Sequence, residues 1–236
     1  MNTSGDDKTA ASNWLVHQWI VAGIVSASAR FIPIPFVDDA VRSQCRRFVV
    51  SRTLSSHQPA IPIDRLKPYY SDGEGCLQGC LGMALKAPIK LLLFPIRKIA
   101  SVLTSIHSVP IEVLRLVLLG RTLDRYLSAG RLSGDPLQSA QMRRAFEGAF
   151  ARMDFRVVRA GMADALSSVR GWKTAATGLA KKLAGRRSVE SEELESPPEV
   201  EQGAQEIQVF LDRPDTLALF AEFDRRFDEL MSAESR

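Results

Sequence analysis

Apolar residues between positions 15 and 54 recur at the helical period on both sides of a short break that contains two prolines. The break is residues 31–37 (FIPIPFV), with Pro33 and Pro35 at its centre. Proline lacks an amide proton and moves the preceding residue out of the helical region, so the chain must turn there. The pattern therefore predicts a hairpin of two helices, the second of which is capped by Asp38.

The first helix of the hairpin is predicted to start at Ser12 or Asn13 and to end near Arg30, with apolar residues around most of its circumference. A helix that is apolar on all sides must be enclosed by protein or by lipid. Residues 9–29 carry no formal charge, so a membrane span is one alternative, although the strongly apolar part has the length of a buried helix. A cleaved signal peptide is disfavoured because its leader would be acidic.

The second helix of the hairpin has an apolar face that includes Val41 and Cys45, and its arginines lie largely off that face (Arg42, Arg46, Arg47, Arg52). These arginines either line a solvated surface, which we favour, or form a site for phosphate or lipid. Residues 55–73 are predicted to be an irregular connector.

Residues 86–106 combine a wide apolar face with a narrow polar stripe that is basic in its first half. The basic positions in this segment are Lys86, Lys90, Arg97 and Lys98. Aliphatic residues dominate again at 111–119, in a helix that Gly130 should end. The pair Asp135-Pro136 predicts the start of another helix, because it places a cap before a proline at the first helical position. The pattern that follows runs to residue 184, and we expect it to break near Asp154 or Gly171.

The C-terminal part of the chain differs in composition. Residues 185–205 are acidic and poor in apolar side chains, which predicts a disordered linker. Residues 206–236 contain an amphipathic helix with Phe220, Phe223 and Phe227 on one side. Together with a flexible N-terminus at 1–12 and a helical domain over 13–184, this predicts an all-α protein: a hairpin-based bundle, an acidic linker and a C-terminal amphipathic helix.

Charge is strongly segregated along the chain. Residues 30–187 contain 26 Lys/Arg and 11 Asp/Glu, a net charge of +15, whereas residues 188–236 contain 4 and 14, a net charge of −10. The basic body could bind anionic lipid, nucleic acid or its own tail. We expect the tail to fold back on the body, either as a reversible latch or as a permanent part of the core.

Motifs with known chemistry are absent from the sequence. There is no phosphate-binding loop, nucleophile elbow, HExxH, zinc-ligand pair or calcium loop. Cys76 and Cys80 could share a helix face, but no histidine has ligand spacing around them. The three cysteines indicate a reducing compartment. We therefore predict no catalytic residue, no cofactor and no metal.

The break and its flanks (IPIPFVDDAV, residues 32–41) resemble two bacterial families of poorly defined function. One is the helical domain often joined to small GTPases, although this chain has no GTPase portion, and the other is the EcsC-like proteins. The resemblance covers about 40 residues. It implies a helical, membrane-associated region and supplies no active site.

The sequence thus favours a non-enzymatic adaptor or regulator on the inner face of the cytoplasmic membrane, bound peripherally to anionic lipid. The predicted membrane contacts are Trp14, Trp19 and the four cations of residues 86–106. Alternatives are a nucleic-acid-binding protein that uses the basic body, and a helical enzyme or carrier that encloses an apolar ligand. A protein partner is also possible, whereas the oligomeric state is not predicted.

Overall fold

The computed structural model describes residues 3–57, 59–71, 109–185 and 194–234. In these ranges the protein is all-α, with nine α-helices and no strand, which confirms the predicted fold class. The helices are α1 Thr3–Ser28, α2 Val37–His57, α3 Lys67–Tyr70, α4 Val109–Ser128, α5 Pro136–Ala151, α6 Arg156–Ser167, α7 Trp172–Ala184, α8 Pro198–Leu211 and α9 Pro214–Glu234.

Helices α1 and α2 form the predicted hairpin, and residues 32–36 between them are not helical. The indole Nε1 of Trp19 donates to Thr53 Oγ1 at 3.1 Å, and the Arg52 guanidinium lies 4.8 Å from the centre of the Trp14 ring. Residues in the middle of α1 thus meet residues late in α2, and the short turn at 29–36 joins the other ends, so the two helices are antiparallel. Helix α2 begins at Val37, one residue before the predicted cap, which puts Asp38 in its first turn.

Helix α4 packs closely along α1 and also contacts α2. Two glycines permit this approach. A Cβ on Gly23 would lie 2.7 Å from the Val113 Cα, and a Cβ on Gly120 would lie 2.3 Å from the indole ring of Trp19. The predicted enclosure of the first apolar helix is provided here by protein, since residues 19–22 and 24–27 of α1 are all buried.

The predicted helix ends are largely observed. Gly130 has a φ of +61°, the Gly130 amide donates to the Leu127 carbonyl, and the Arg131 amide donates to the Tyr126 carbonyl, which is the Schellman pattern. Asp135 caps α5 by accepting from the Leu137 amide at 2.9 Å, with Pro136 at the first helical position. The long pattern that follows breaks at residues 152–155 and 168–171, as expected near Asp154 and Gly171.

Three predicted boundaries are wrong. The predicted irregular connector 55–73 contains the end of α2 at His57 and the short helix α3. Helix α1 begins at Thr3, within the segment 1–12 that the sequence suggested was flexible. Helix α8 begins at Pro198, within the predicted linker 185–205. Its apolar positions recur at helical spacing, and Val200, Ala204, Ile207 and Leu211 are buried against the bundle. The acidic residues between them lie on other faces of the helix. The helix is therefore amphipathic, which its acidic composition does not indicate.

Helices α8 and α9 complete the bundle in different places. Helix α8 packs against α1, α6 and α7, whereas α9 packs chiefly against α5. The predicted fold-back of the tail on the body is therefore observed for both helices.

Candidate membrane-contact site

The turn between α1 and α2 is the most apolar exposed feature of the hairpin. A single 3₁₀ turn, Ala29–Phe31, follows α1, and the Ile32 amide donates to the Ala29 carbonyl at 3.0 Å. Ile32 is buried and anchors the turn, whereas all four residues at 33–36 are exposed. We call residues 33–36 (PIPF) the hairpin tip.

The hairpin tip presents two large apolar side chains to solvent. Ile34 is 53% exposed and Phe36 is 67% exposed. Phe36 also has a φ of +65°, in the left-handed region that costs a residue with a Cβ about 1–2 kcal/mol. The conformation is fixed from both sides, because Pro35 precedes it and the Phe36 carbonyl accepts the first hydrogen bond of α2, from Ala40, at 3.1 Å. Strain of this kind concentrates at functional sites.

Charged residues of both signs lie near the hairpin tip in space or in the sequence, and Asp38 and Asp39 follow it in the first turn of α2. The Lys173 ammonium lies 4.0 Å from the centre of the Phe31 ring, and Arg170 is exposed in the turn just before α7. Arg30 is only partly exposed and its Nε donates to the Ala27 carbonyl at 3.0 Å. Burial lowers the pKa of Arg30, an effect that the nearby Glu112 carboxylate opposes.

A buried polar cluster fixes the helices beneath the tip. The Glu112 carboxylate, in the first turn of α4, accepts a hydrogen bond from the Ser26 hydroxyl at 2.8 Å. The same Oε1 lies 3.5 Å from Arg42 Nε, and Arg42 also approaches Asp39 at 3.7 Å. These contacts join α1, α2 and α4. They also give the buried Glu112 carboxylate the hydrogen bond and the ion pair without which its burial would be unfavourable. The hairpin tip therefore lies next to helices that these contacts link to one another.

The predicted basic segment precedes α4 in the sequence. Lys86, Lys90, Arg97 and Lys98 lie outside the described residues. The described part of the chain resumes at Val109, in the first turn of α4 and three residues before Glu112.

The two predicted tryptophan contacts have different positions. Trp19 is only 3% exposed and packs against Gly120, so it belongs to the core and offers no surface to a membrane in this fold. Trp14 is 41% exposed. It lies 16 residues before Arg30, about 24 Å along the helix axis, and therefore at the opposite end of the hairpin from the tip.

Ile34 and Phe36 were not singled out from the sequence, although they lie within the break. The available signal was the alternation of proline with large apolar residues. Prolines at both positions prevent a helix there.

Polar clusters elsewhere in the described residues tie helices together. His17 Nε2 lies 2.6 Å from Glu201 Oε2, and His17 Nδ1 lies 3.3 Å from Gln208 Oε1, which links α1 to α8. The Ser196 hydroxyl bonds to the other oxygen of Glu201 and makes no hydrogen bond to His17. A nucleophile must bond directly to its base, so this set lacks the arrangement of a hydrolase. His57 Nε2 similarly lies 2.7 Å from Asp124 Oδ1, between α2 and α4.

Other candidates for chemistry are few in the part of the chain that the structure covers. No group of three His, Cys, Asp or Glu side chains there could hold a metal ion. Cys45 is buried, and burial raises the pKa of its thiol, whereas Cys76 and Cys80 lie outside the described residues. Three surface depressions lined by described residues are open to solvent, and each includes charged residues.

None of the described helices combines the length and the apolar character that crossing a bilayer requires. No family model matches the chain, and neither the curated proteins nor the solved structures include a significant match.

Proposed function

We propose that the protein is a non-enzymatic helical adaptor that binds peripherally to anionic membranes through its hairpin tip, on the inner face of the cytoplasmic membrane. The observation that carries this proposal is the exposure of Ile34 and Phe36 on a strained turn. The resemblance of the turn to families with membrane-associated helical regions is consistent with it.

The expected binding energy explains why the tip would need basic residues beside it. Transfer of Ile34 and Phe36 from water to an apolar phase contributes about 1.5–3 kcal/mol each. The sum is comparable to one myristoyl chain, which gives only marginal and reversible binding. Each basic residue near an anionic surface adds about 1 kcal/mol. Lys86, Lys90, Arg97 and Lys98 would therefore convert marginal binding into stable but salt-sensitive association.

The test is flotation with phosphatidylcholine vesicles, with and without phosphatidylserine, of the wild type and of Ile34→Ser/Phe36→Ser. We expect the double variant to lose at least about tenfold in affinity for anionic vesicles, because both side chains leave the apolar phase. The matched control is Val157→Ser/Val209→Ser, which removes two valines that are 80% and 70% exposed on α6 and α8. Equal binding by the turn variant and the wild type, or an equal loss in the control, would reject the hairpin tip as the contact.

The electrostatic part has a separate test. Arg97→Glu/Lys98→Glu should weaken binding to anionic vesicles while leaving the thermal unfolding midpoint unchanged, because surface charge reversals usually cost little stability. Binding of this variant at wild-type strength would remove residues 97 and 98 from the contact.

A further inference from the structure

Helix α9 lies against α4 and α5 as an amphipathic helix in a groove. Phe220, Phe223 and Phe227 are buried, and they follow the i, i+3, i+7 spacing of helices that bind grooves in other proteins. The ring centre of Phe223 is 5.5 Å from that of Phe146, and the ring centre of Phe227 is 5.4 Å from that of Tyr126. We call the surface formed by Arg121, Arg125, Tyr126, Arg144 and Phe146 the α4–α5 groove.

Opposite charges fix the register of α9 in the α4–α5 groove. Arg121 Nη2 lies 2.8 Å from Asp224, and Arg125 lies 2.9 Å from Asp224 and 2.6 Å from Asp228. The two arginines are four residues apart on α4, and the two aspartates are four residues apart on α9. Four residues make about one helical turn, so the spacing of the two arginines along α4 equals the spacing of the two aspartates along α9.

Further contacts extend the same polarity. Arg144 on α5 lies 2.8 Å from Glu234 near the end of α9. The Tyr126 hydroxyl donates to Asp228 at 3.4 Å, and burial together with the Asp228 carboxylate raises the pKa of Tyr126 to about 12. In each of these ion pairs the base belongs to the groove and the acid to α9.

Helices α8 and α9 are joined by a short connection but pack against different helices. Only Asp212 and Arg213 lie between them, and α9 packs mainly on α5, whereas α8 is enclosed by α1, α6 and α7. Release of α9 would break the hydrogen bond from the Thr216 hydroxyl to the Phe210 carbonyl and would leave the packing of α8 on α1, α6 and α7 in place. The apolar floor of the groove, which includes Tyr126 and Phe146, would then need another apolar cover.

We propose that the α4–α5 groove is a docking site for an acidic amphipathic helix of a partner protein, and that α9 occupies it when the partner is absent. The partner helix would reproduce the pattern Phe-x-x-Phe-Asp-x-x-Phe-Asp that residues 220–228 display. The three aromatic residues would fill the apolar floor, and the two aspartates would pair with Arg121 and Arg125. This proposal concerns a different surface from the hairpin tip and does not depend on membrane binding.

Because α9 is attached to the chain, it competes with a partner at an effective concentration near the millimolar range. The wild-type protein should therefore bind a helix in trans only weakly. The probe is a fluorescein-labelled peptide of residues 214–234, titrated with the full chain and followed by fluorescence anisotropy.

The informative full-chain variant is Asp224→Ala/Asp228→Ala, which weakens the attached helix and leaves the groove unchanged. We expect it to bind the peptide at least tenfold more tightly than the wild type does. The matched control is Glu222→Ala/Glu229→Ala, which removes the same charge from α9, where both side chains pair with Arg225 of their own helix. That control should bind the peptide as the wild type does.

Equal binding by the two variants, or no binding by either, would overturn the proposal. A concentration-dependent dimer of the Asp224→Ala/Asp228→Ala variant that excludes the peptide would also overturn it, because the occupant would then be a second copy of the chain. If that variant does not fold, amide hydrogen exchange of the wild type decides. A helix that leaves its groove should exchange at least tenfold faster in α9 than in α4, and equal protection would contradict the proposal.

Discussion

Phe36 combines an exposed aromatic ring with a backbone conformation that only glycine adopts without cost. We expect Phe36→Gly to leave the free energy of unfolding unchanged or to raise it by up to about 1 kcal/mol. Relief of the left-handed strain offsets the greater freedom of glycine in the unfolded chain. The same variant should bind anionic vesicles more weakly, which would show that the strained residue serves contact rather than stability.

Urea unfolding and vesicle flotation of Phe36→Gly test this expectation, and Phe36→Asn provides a control because asparagine tolerates the left-handed region. A loss of more than about 1 kcal/mol in both variants would contradict it, since the ring would then have a packing role.

Gly120 is required by the neighbouring indole ring. Gly120→Ala should lower the free energy of unfolding by about 1–3 kcal/mol or more, because the added Cβ would lie 2.3 Å from Trp19. Gly178→Ala is the matched control, in a helix position with nothing within 4 Å of the added Cβ, and it should stabilise the protein by up to about 1 kcal/mol. Thermal unfolding of both variants measures the difference, and equal effects would refute the close approach of α1 and α4.

The burial of Trp19 shows that the exposure of an individual side chain cannot be read from the sequence pattern. The pattern placed both Trp14 and Trp19 on one apolar helix and could not rank them. Their exposure is decided by Gly120, about 100 residues further along the chain, which makes room for one ring only. Long-range packing of this kind has no local signature.

At the level of helices, local signals were sufficient wherever proline or glycine marked a boundary. Pro33 and Pro35 correctly predicted the hairpin, Asp135-Pro136 predicted the start of α5, and Gly130 predicted the end of α4. Helix α8 was missed because its acidic composition was given more weight than the spacing of Val200, Ala204 and Ile207. The sign of the charge says nothing about whether a helix has an apolar face.

The burial of α8 leads to a prediction about the tail as a whole. Deletion of residues 188–236 removes α8 and α9 together, and we expect the shortened chain to unfold without a cooperative transition. Val200, Ala204 and Ile207 are fully buried, and their loss would expose the apolar sides of α1 and α6. Differential scanning calorimetry measures this. A cooperative transition in the shortened chain, combined with stronger binding to anionic vesicles, would instead show that the whole tail is a reversible latch.

At the scale of the whole molecule, the segregation of charge predicted how the chain folds back on itself. Arg121, Arg125 and Arg144 of the basic body are paired with acidic residues of α9. Part of the +15 charge of the body is therefore neutralised within the molecule, and less of it is available to an external polyanion. The hairpin tip lies elsewhere, and the Lys173 ammonium is 4.0 Å from the ring of the neighbouring Phe31.

The measurement that tests membrane contact at the hairpin tip most directly is the fluorescence of a polarity-sensitive probe. Nitrobenzoxadiazole is attached to a cysteine at position 36, in a chain that also carries Cys76→Ser and Cys80→Ser, and the matched control carries the probe at position 157. Cys45 can remain because it is buried. On addition of anionic vesicles we predict a blue shift and a rise in emission at position 36 and no change at position 157. An unchanged spectrum at position 36, or equal shifts at both positions, would contradict the account.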